Sequence, residues 1–145
     1  NHPGRTRQAD RLGRRRRALG LKENTMARSG PGSLSTHVLN TADGIPAEGM
    51  VVELWRMDPA PVLVTSKRTN ADGRTDGPLM SAVEFQAGRY ELRFAVADYF
   101  RAHGQGAEVP YLDVVTLAVG LSAGQGHYHV PLLCSPWSYA TYRGS

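Results

Sequence analysis

Cysteine is nearly absent from this 145-residue chain, with Cys134 the only one. That excludes an internal disulfide framework and a cysteine zinc site, and it suits a reducing compartment. Long apolar runs are missing as well. None approaches the roughly 20 residues of a helical membrane span, and no h-region follows the basic N-terminus, so neither a membrane protein nor a secretory signal is predicted. A nucleophile elbow, a P-loop, a dinucleotide-binding fingerprint and a zincin motif are all lacking. The length predicts one domain, able to bury a core without staples.

Acidic residues are scarce only at the N-terminus. Residues 1–29 hold nine Lys/Arg against two Asp/Glu, and the rest of the chain holds eight against eleven. The formal charge of +4 therefore belongs to a leader and not to the domain. Apolar periodicity is lacking over residues 1–32, and Arg14-Arg15-Arg16-Arg17 repels itself, which predicts a solvated, disordered leader. Nucleic-acid contact, membrane-surface tethering and targeting are the functional readings of such a run. The readings without function are a disordered tail and sequence upstream of the true start, since Met26 stands just before the patterned region. A mitochondrial presequence would need an amphipathic apolar face, and none is present. Residues 33–145 are expected to form the domain.

What is present is β-pattern. Leu34 to Asn40 alternates, with Ser35, His37 and Leu39 on one face. Thr41 to Pro46 carries Asp-Gly and Pro and predicts a turn. Met50 to Met57 and Val62 to Thr69 read as strands, separated by Asp58-Pro59-Ala60-Pro61. Asn70-Ala71-Asp72-Gly73 is a strong turn signal with Arg74 directly after it. In Arg89 to Val96, Tyr90, Leu92, Phe94 and Val96 face in while Arg89, Glu91 and Arg93 face out. Ala97 to His103 predicts one short helix with Gly104 at its C-terminal cap. Leu112 to Val119 is apolar on both faces, which predicts a central strand. Gly120 to Gly126 reads as a turn, and Trp137 to Tyr142 as the last strand. About seven or eight short strands at this spacing predict an all-β antiparallel sandwich.

The strand from His127 to Cys134 stands out. Tyr128, Val130, Leu132 and Cys134 make a core face, and His127, His129, Pro131 and Leu133 face the other way. That second face fits a ligand pocket or a subunit contact, and its apolar members predict oligomerisation. Pro131 cannot donate to a ladder, which predicts an edge position or a bulge. A His-x-His pair on a strand can bind a divalent metal if a third ligand such as His37 or His103 arrives. It can equally act as a general base, or simply pack. Spacing leaves all three open. Arg74 offers a guanidinium placed by a tight turn, suited to clamping carbonyl oxygens or anions, or an ordinary loop arginine. Tyr142, Arg143 and Ser145 bring a phenol, a guanidinium and a hydroxyl together with the terminal carboxylate, which suggests that the end itself is used, although chain ends commonly fray. Cys134 falls on the core face and predicts an inert thiol.

The motifs LSTHVLNT, ELWR, TNADGRTDGP, GRYELRF, DYF, HYHVPLL and YRGS follow one another from Leu34 to Ser145. In this order they resemble the 5-hydroxyisourate hydrolases of the transthyretin-like family. The closing YRGS discriminates most, because transthyretin carriers share the fold and lack that ending. The resemblance implies a transthyretin-like sandwich of two four-stranded sheets with one short helix. It implies a homotetramer, a dimer of dimers, with active sites in the channel between dimers. The implied reaction is hydrolysis of 5-hydroxyisourate, the product of urate oxidation, to 2-oxo-4-hydroxy-4-carboxy-5-ureidoimidazoline, with no metal and no cofactor. His37, Arg74 and His129 match the family's catalytic positions. The closing tetrapeptide matches Tyr142 to Ser145, so Tyr142, Arg143 and Ser145, with His127, are expected to contact substrate. The implied mechanism has His129 and His37 activating a water while Arg74 stabilises the developing charge.

The basic leader is the one departure from the family pattern. Two rival readings remain: a non-catalytic small-molecule carrier on the same fold, and a protein tethered to nucleic acid by its leader. An intact set of His37, Arg74, His129 and YRGS argues for the enzyme. The terminal Arg-Gly-Ser is not an SKL-type address, so the cytoplasm is expected.

Overall fold

The structure, a computed structural model, describes residues 32–144. The basic leader expected over residues 1–32 lies outside them except for its last residue, and Ser145 lies outside them too. In chain order the elements are β1 (Ser33–Asn40), β2 (Ile45–Pro46), β3 (Val51–Arg56), β4 (Val62–Arg68), β5 (Gly88–Ala95), α1 (Val96–Ala102), β6 (Val114–Leu121), β7 (His127–Ser135) and β8 (Ser138–Thr141). They form two four-stranded sheets, ordered β2-β1-β7-β8 and β4-β3-β5-β6. The expected all-β sandwich with one short helix is what forms.

Alternation builds the layers. Leu34 and Val38 of β1, Val52 and Leu54 of β3, Tyr90, Leu92 and Phe94 of β5, and Tyr128, Val130, Leu132 and Cys134 of β7 all turn inward and are buried. Each such side chain contributes roughly 1.5–3 kcal/mol relative to exposure. Phe100 and Tyr99 of α1 close one end, their rings 5.0 Å apart edge to face. Two buried polar side chains of β1 are hydrogen-bonded, as packing in a low dielectric requires. Thr36 Oγ1 donates to the Val130 carbonyl at 2.6 Å, and Asn40 Nδ2 reaches the Tyr99 hydroxyl at 3.2 Å. The α1 helix carries Asp98 in its first turn and Arg101 in its last, both favourable to its dipole. Gly104 follows its end at φ +72°.

Two sequence expectations about strand position are overturned. The apolar stretch expected to be central is β6, which lies at the edge of its sheet, runs on to Leu121 and leaves Val114 half exposed. Apolarity on both faces marks a surface that neighbouring strands of this chain do not cover. The strand carrying Pro131 was expected at an edge or at a bulge, yet β7 lies inside its sheet between β1 and β8, with continuous register against β1. Pro131 fits there because the β8 ladder stops at Leu132↔Thr141. The Pro131 carbonyl accepts the Thr141 hydroxyl at 2.7 Å, so the missing N–H costs no ladder bond at that point.

Candidate active site

The parallel pairing of β1 with β7 places Ser33 beside His127, Ser35 beside His129 and His37 beside Pro131. Side chains two apart share a face. Ser33, Ser35, His37, His127 and His129 therefore gather on the outer face of one sheet, opposite the buried Tyr128 and Val130. The His37 and His129 rings lie 6.5 Å apart between centroids, and the His127 and His129 rings 6.4 Å apart.

Arg74 reaches this patch through the loop that precedes it. Asn70 Oδ1 accepts the backbone N–H of Asp72 at 2.9 Å and of Arg74 at 3.2 Å, which folds the loop on itself. Gly73 adopts φ +77°, and its carbonyl accepts the Val38 N–H of β1 at 2.7 Å. A Cβ at Gly73 would lie 2.3 Å from the Val38 carbonyl oxygen, so only glycine permits this approach. The result is a bridge pairing Arg74 with His37. The same loop orients His37, whose Nε2 lies 2.8 Å from the Asp72 carbonyl. A carbonyl only accepts, so Nε2 carries the proton and the neutral ring keeps its lone pair on Nδ1.

His129 is half-buried, and Ser35 Oγ lies 2.8 Å from its Nδ1. Burial pushes its pKa below the ordinary imidazole value, and the charges of Arg74, His127 and His37 push the same way. His129 is thus neutral near pH 7, as a base must be. The ring is also held from the other side of the strand. Gly144 donates its N–H to the His129 carbonyl at 2.8 Å, and a Cβ at Gly144 would lie 2.7 Å from the His129 ring carbon Cδ2.

The structure brings His37, Arg74, His127 and His129 together and leaves others elsewhere. Arg143 was expected to contact substrate, but its guanidinium lies 4.3 Å over the ring of Tyr128, which faces the sandwich interior. Cation–π attraction with Tyr128 turns it away from the histidines of the same chain. Tyr142 is exposed and lines, with Arg143, Tyr128 and β6, a groove of about 400 Å³ between edge strand β6 and the C-terminal segment. Ser145 lies outside the described residues. Cys134 is fully buried and its thiol is pushed up to about 12 by that burial, which makes it inert. Sequence reasoning passed over Gly144 and did not give Ser33 or Ser35 a role. The placement of Ser35 on the His37 face was the available signal for the serines. Nothing in the pattern marked Gly144 as a packing contact. Among the described residues no group of three His, Cys, Asp or Glu could hold a metal ion, so the histidine patch does not have the ligand set a zinc site requires.

Residues 34–144 match the sequence model of the HIUase/Transthyretin family. A 5-hydroxyisourate hydrolase of Deinococcus radiodurans is 52% identical over 118 residues, covering 81% of this chain and 99% of that one. Among solved structures, a Klebsiella pneumoniae 5-hydroxyisourate hydrolase aligns with a TM-score of 0.67 at 33% identity, over 79% of this chain and 99% of that one. An (S)-allantoin synthase aligns with a TM-score of 0.75 at 43% identity over 82% of this chain. This chain spans only 46% of that longer protein.

Proposed function

This chain belongs to the HIUase/Transthyretin family, and we propose that its outer-sheet histidine patch hydrolyses 5-hydroxyisourate. The observation that carries the reading is the convergence of His37, Arg74 and His129 from two strands and a loop onto one face. Hydrolysis of a strained ring amide needs a base for water, a donor for the oxyanion and a proton for the departing nitrogen. Neutral His129 deprotonates the water, and the water oxygen attacks the ring carbonyl next to the labile nitrogen. Arg74 donates to the substrate's carbonyl oxygens and holds the charge of the tetrahedral species. His37, fixed by the Asp72 carbonyl, orients the water through its free Nδ1.

The site as one chain presents it is an open sheet face. A second set of walls would enclose it and strengthen every charge interaction there by excluding water. We therefore place it in a homotetramer, a dimer of dimers, with the face lying in the channel between dimers. Support comes from the exposed Trp137, Tyr139 and Tyr142 along and beside the β7–β8 hairpin, and from the uncovered outer side of edge strand β6. In that assembly Tyr142 and Ser145 border the substrate from a neighbouring subunit. No helix among the described residues is long and apolar enough to cross a membrane. The single, buried cysteine fits our proposal of a cytoplasmic enzyme.

The test follows the ultraviolet decay of 5-hydroxyisourate freshly generated from urate with urate oxidase. Faster decay with the protein, unchanged by a chelator, is the expected result. Decay at the spontaneous rate would remove the enzyme and leave a binding protein on the same fold. Decay that the chelator restores to the spontaneous rate would return the histidine pair to metal binding.

A further inference from the structure

The hydrolytic reading leaves unexplained why two serines lie against the histidines. Ser35 Oγ is 2.8 Å from His129 Nδ1 and 2.8 Å from His127 Nε2, and Ser33 Oγ bonds His127 Nδ1. The 6.4 Å between the two ring centroids is thus spanned by one hydroxyl. Resting on that hydrolytic reading, we propose that Ser35 is the positioning residue of a proton relay, in which the proton His129 takes from the attacking water is held on His127 until the ring nitrogen departs.

Hydrogen-bond valence sets the arrangement. Ser35 has a single proton to donate and two imidazole nitrogens to serve. When it donates to His127 Nε2 it must accept from His129 Nδ1–H, and the lone pair of neutral His129 is then on Nε2. In this arrangement His127 keeps its proton on Nδ1, bound to the Ser33 oxygen. His129 Nε2 is thereby the basic atom.

The proton count closes through the reaction. The water oxygen bonds to the carbonyl carbon, the carbonyl electron pair moves onto its oxygen, and a water proton moves to His129 Nε2. His129 passes its Nδ1 proton to Ser35 Oγ while Ser35 passes its own to His127 Nε2. His127 is now the imidazolium, and His129 is neutral with its proton on Nε2. As the carbon–nitrogen bond breaks, His129 gives that proton to the departing nitrogen while it regains one at Nδ1. The relay runs back, His127 Nε2 to Ser35 and Ser35 to His129 Nδ1, and the starting state is restored. One histidine thereby serves as base and then as acid without holding the charge between.

Environment favours this storage. His129 is half-buried, and the positive Arg74 and the rings of His37 and His127 surround it, all of which oppose a cation there. His127 is exposed, so its imidazolium meets water. Its two ring nitrogens are already engaged by Ser33 and Ser35. That suits a proton holder better than the substrate contact expected from the sequence.

Four variants test the relay in the full-length protein: Ser35→Ala, Ser35→Thr, His127→Ala and His129→Ala. Ser35→Ala is expected to lower kcat on the order of tenfold, a part of the hundredfold or more of a complete acid–base group, with KM nearly unchanged. Ser35→Thr keeps the hydroxyl on a strand and is expected to recover most of that loss. His127→Ala is expected to lower kcat similarly and to regain it when imidazole is added as buffer, because the position is open to solvent. A merely structural histidine would not respond to buffer. Full kcat in Ser35→Ala, or a raised KM with unchanged kcat in His127→Ala, overturns the relay. If His129→Ala is inactive while the other three match the wild type, the relay fails and the hydrolytic reading stands. A wild-type protein with no turnover removes both.

Discussion

The two sheets carry opposite kinds of outer face. On the β4-β3-β5-β6 sheet, Arg93 is held by Glu91 at 2.9 Å and stacks 4.4 Å from the Trp55 ring, while Trp55 Nε1 donates to Glu53 at 3.1 Å. Arg89 pairs with Asp58 at 2.8 Å and Arg68 donates to the Gly49 carbonyl at 3.2 Å, so the cations of this face are engaged within the chain. On the β2-β1-β7-β8 sheet the face is built from three histidines and two serines with Arg74 beside them. Among the described residues, no carboxylate pairs with that arginine. The lesson lies in composition. A face that completes its own pairs stabilises the fold, whereas one that gathers bases and a cation without anions has capacity left for a ligand.

The contrast is broken most sharply at His129. His129→Ala is expected to lower kcat/KM on the order of a hundredfold to ten-thousandfold, the contribution of a positioned base. Melting temperature should stay near that of the wild type, since the ring packs on the outer face. Decay assays alongside thermal melts separate the two effects. Comparable loss of stability would mean that the histidine face, like the arginine face, is structural.

Arg74 sharpens the comparison next. Arg74→Gln is expected to cost roughly a hundredfold in kcat, as removal of an oxyanion donor does. It should also change the pH profile. In the wild type, His129 is neutral until the pH falls below the ordinary imidazole value of about 6.5, so activity persists at pH 6.5 and is lost further down. Burial is the largest cause and survives the substitution. The repulsion from Arg74 does not survive, so the acid limb of kcat/KM moves to higher pH. An acid limb that stays in place would show that Arg74 does not act on His129.

Gly144 tests position rather than charge. Gly144→Ala puts a Cβ where it would lie 2.7 Å from His129 Cδ2, so the ring or the C-terminal segment must move. A shift of about 1 Å can cost on the order of a hundredfold in a reaction that depends on alignment. Since the C-terminal segment can yield in part, a loss of about tenfold is expected. Unchanged kinetics would show that the segment yields completely and that His129 is held by Ser35 alone.

Much of this division could be read in the chain. Alternation in Leu34–Asn40 and His127–Cys134 separated the core residues from the histidines, because a two-residue period assigns faces without knowing partners. Asn70-Ala71-Asp72-Gly73 announced the turn that delivers Arg74. Pairing was not legible. That β1 lies parallel to β7, with Ser35 beside His129, depends on contacts 94 residues apart. Apolarity on both faces misplaced β6, since it signals covering without saying whether the cover is the same chain. Pro131 misplaced β7, since a proline excludes one ladder bond and β8 happens to stop there. Arg143 was grouped with its sequence neighbours as a ligand contact, and within this chain its guanidinium lies instead over the Tyr128 ring on the opposite face.

The smallest effect belongs to the structural face. Arg93→Ala removes one ion pair with Glu91 and one stacking contact with Trp55, both on a half-buried surface. Partly exposed ion pairs contribute about 0–1 kcal/mol and exposed cation–π contacts about 0.5–1 kcal/mol, so the two together should lower stability by roughly 1 kcal/mol or a little more. Activity should remain that of the wild type, because the sheet that carries Arg93 shares no outer surface with His129. Urea unfolding with parallel decay assays measures both. A loss of turnover beyond about twofold at unchanged fold would couple the two faces through the core, and the division between a self-satisfied face and a ligand-ready one would no longer describe this molecule.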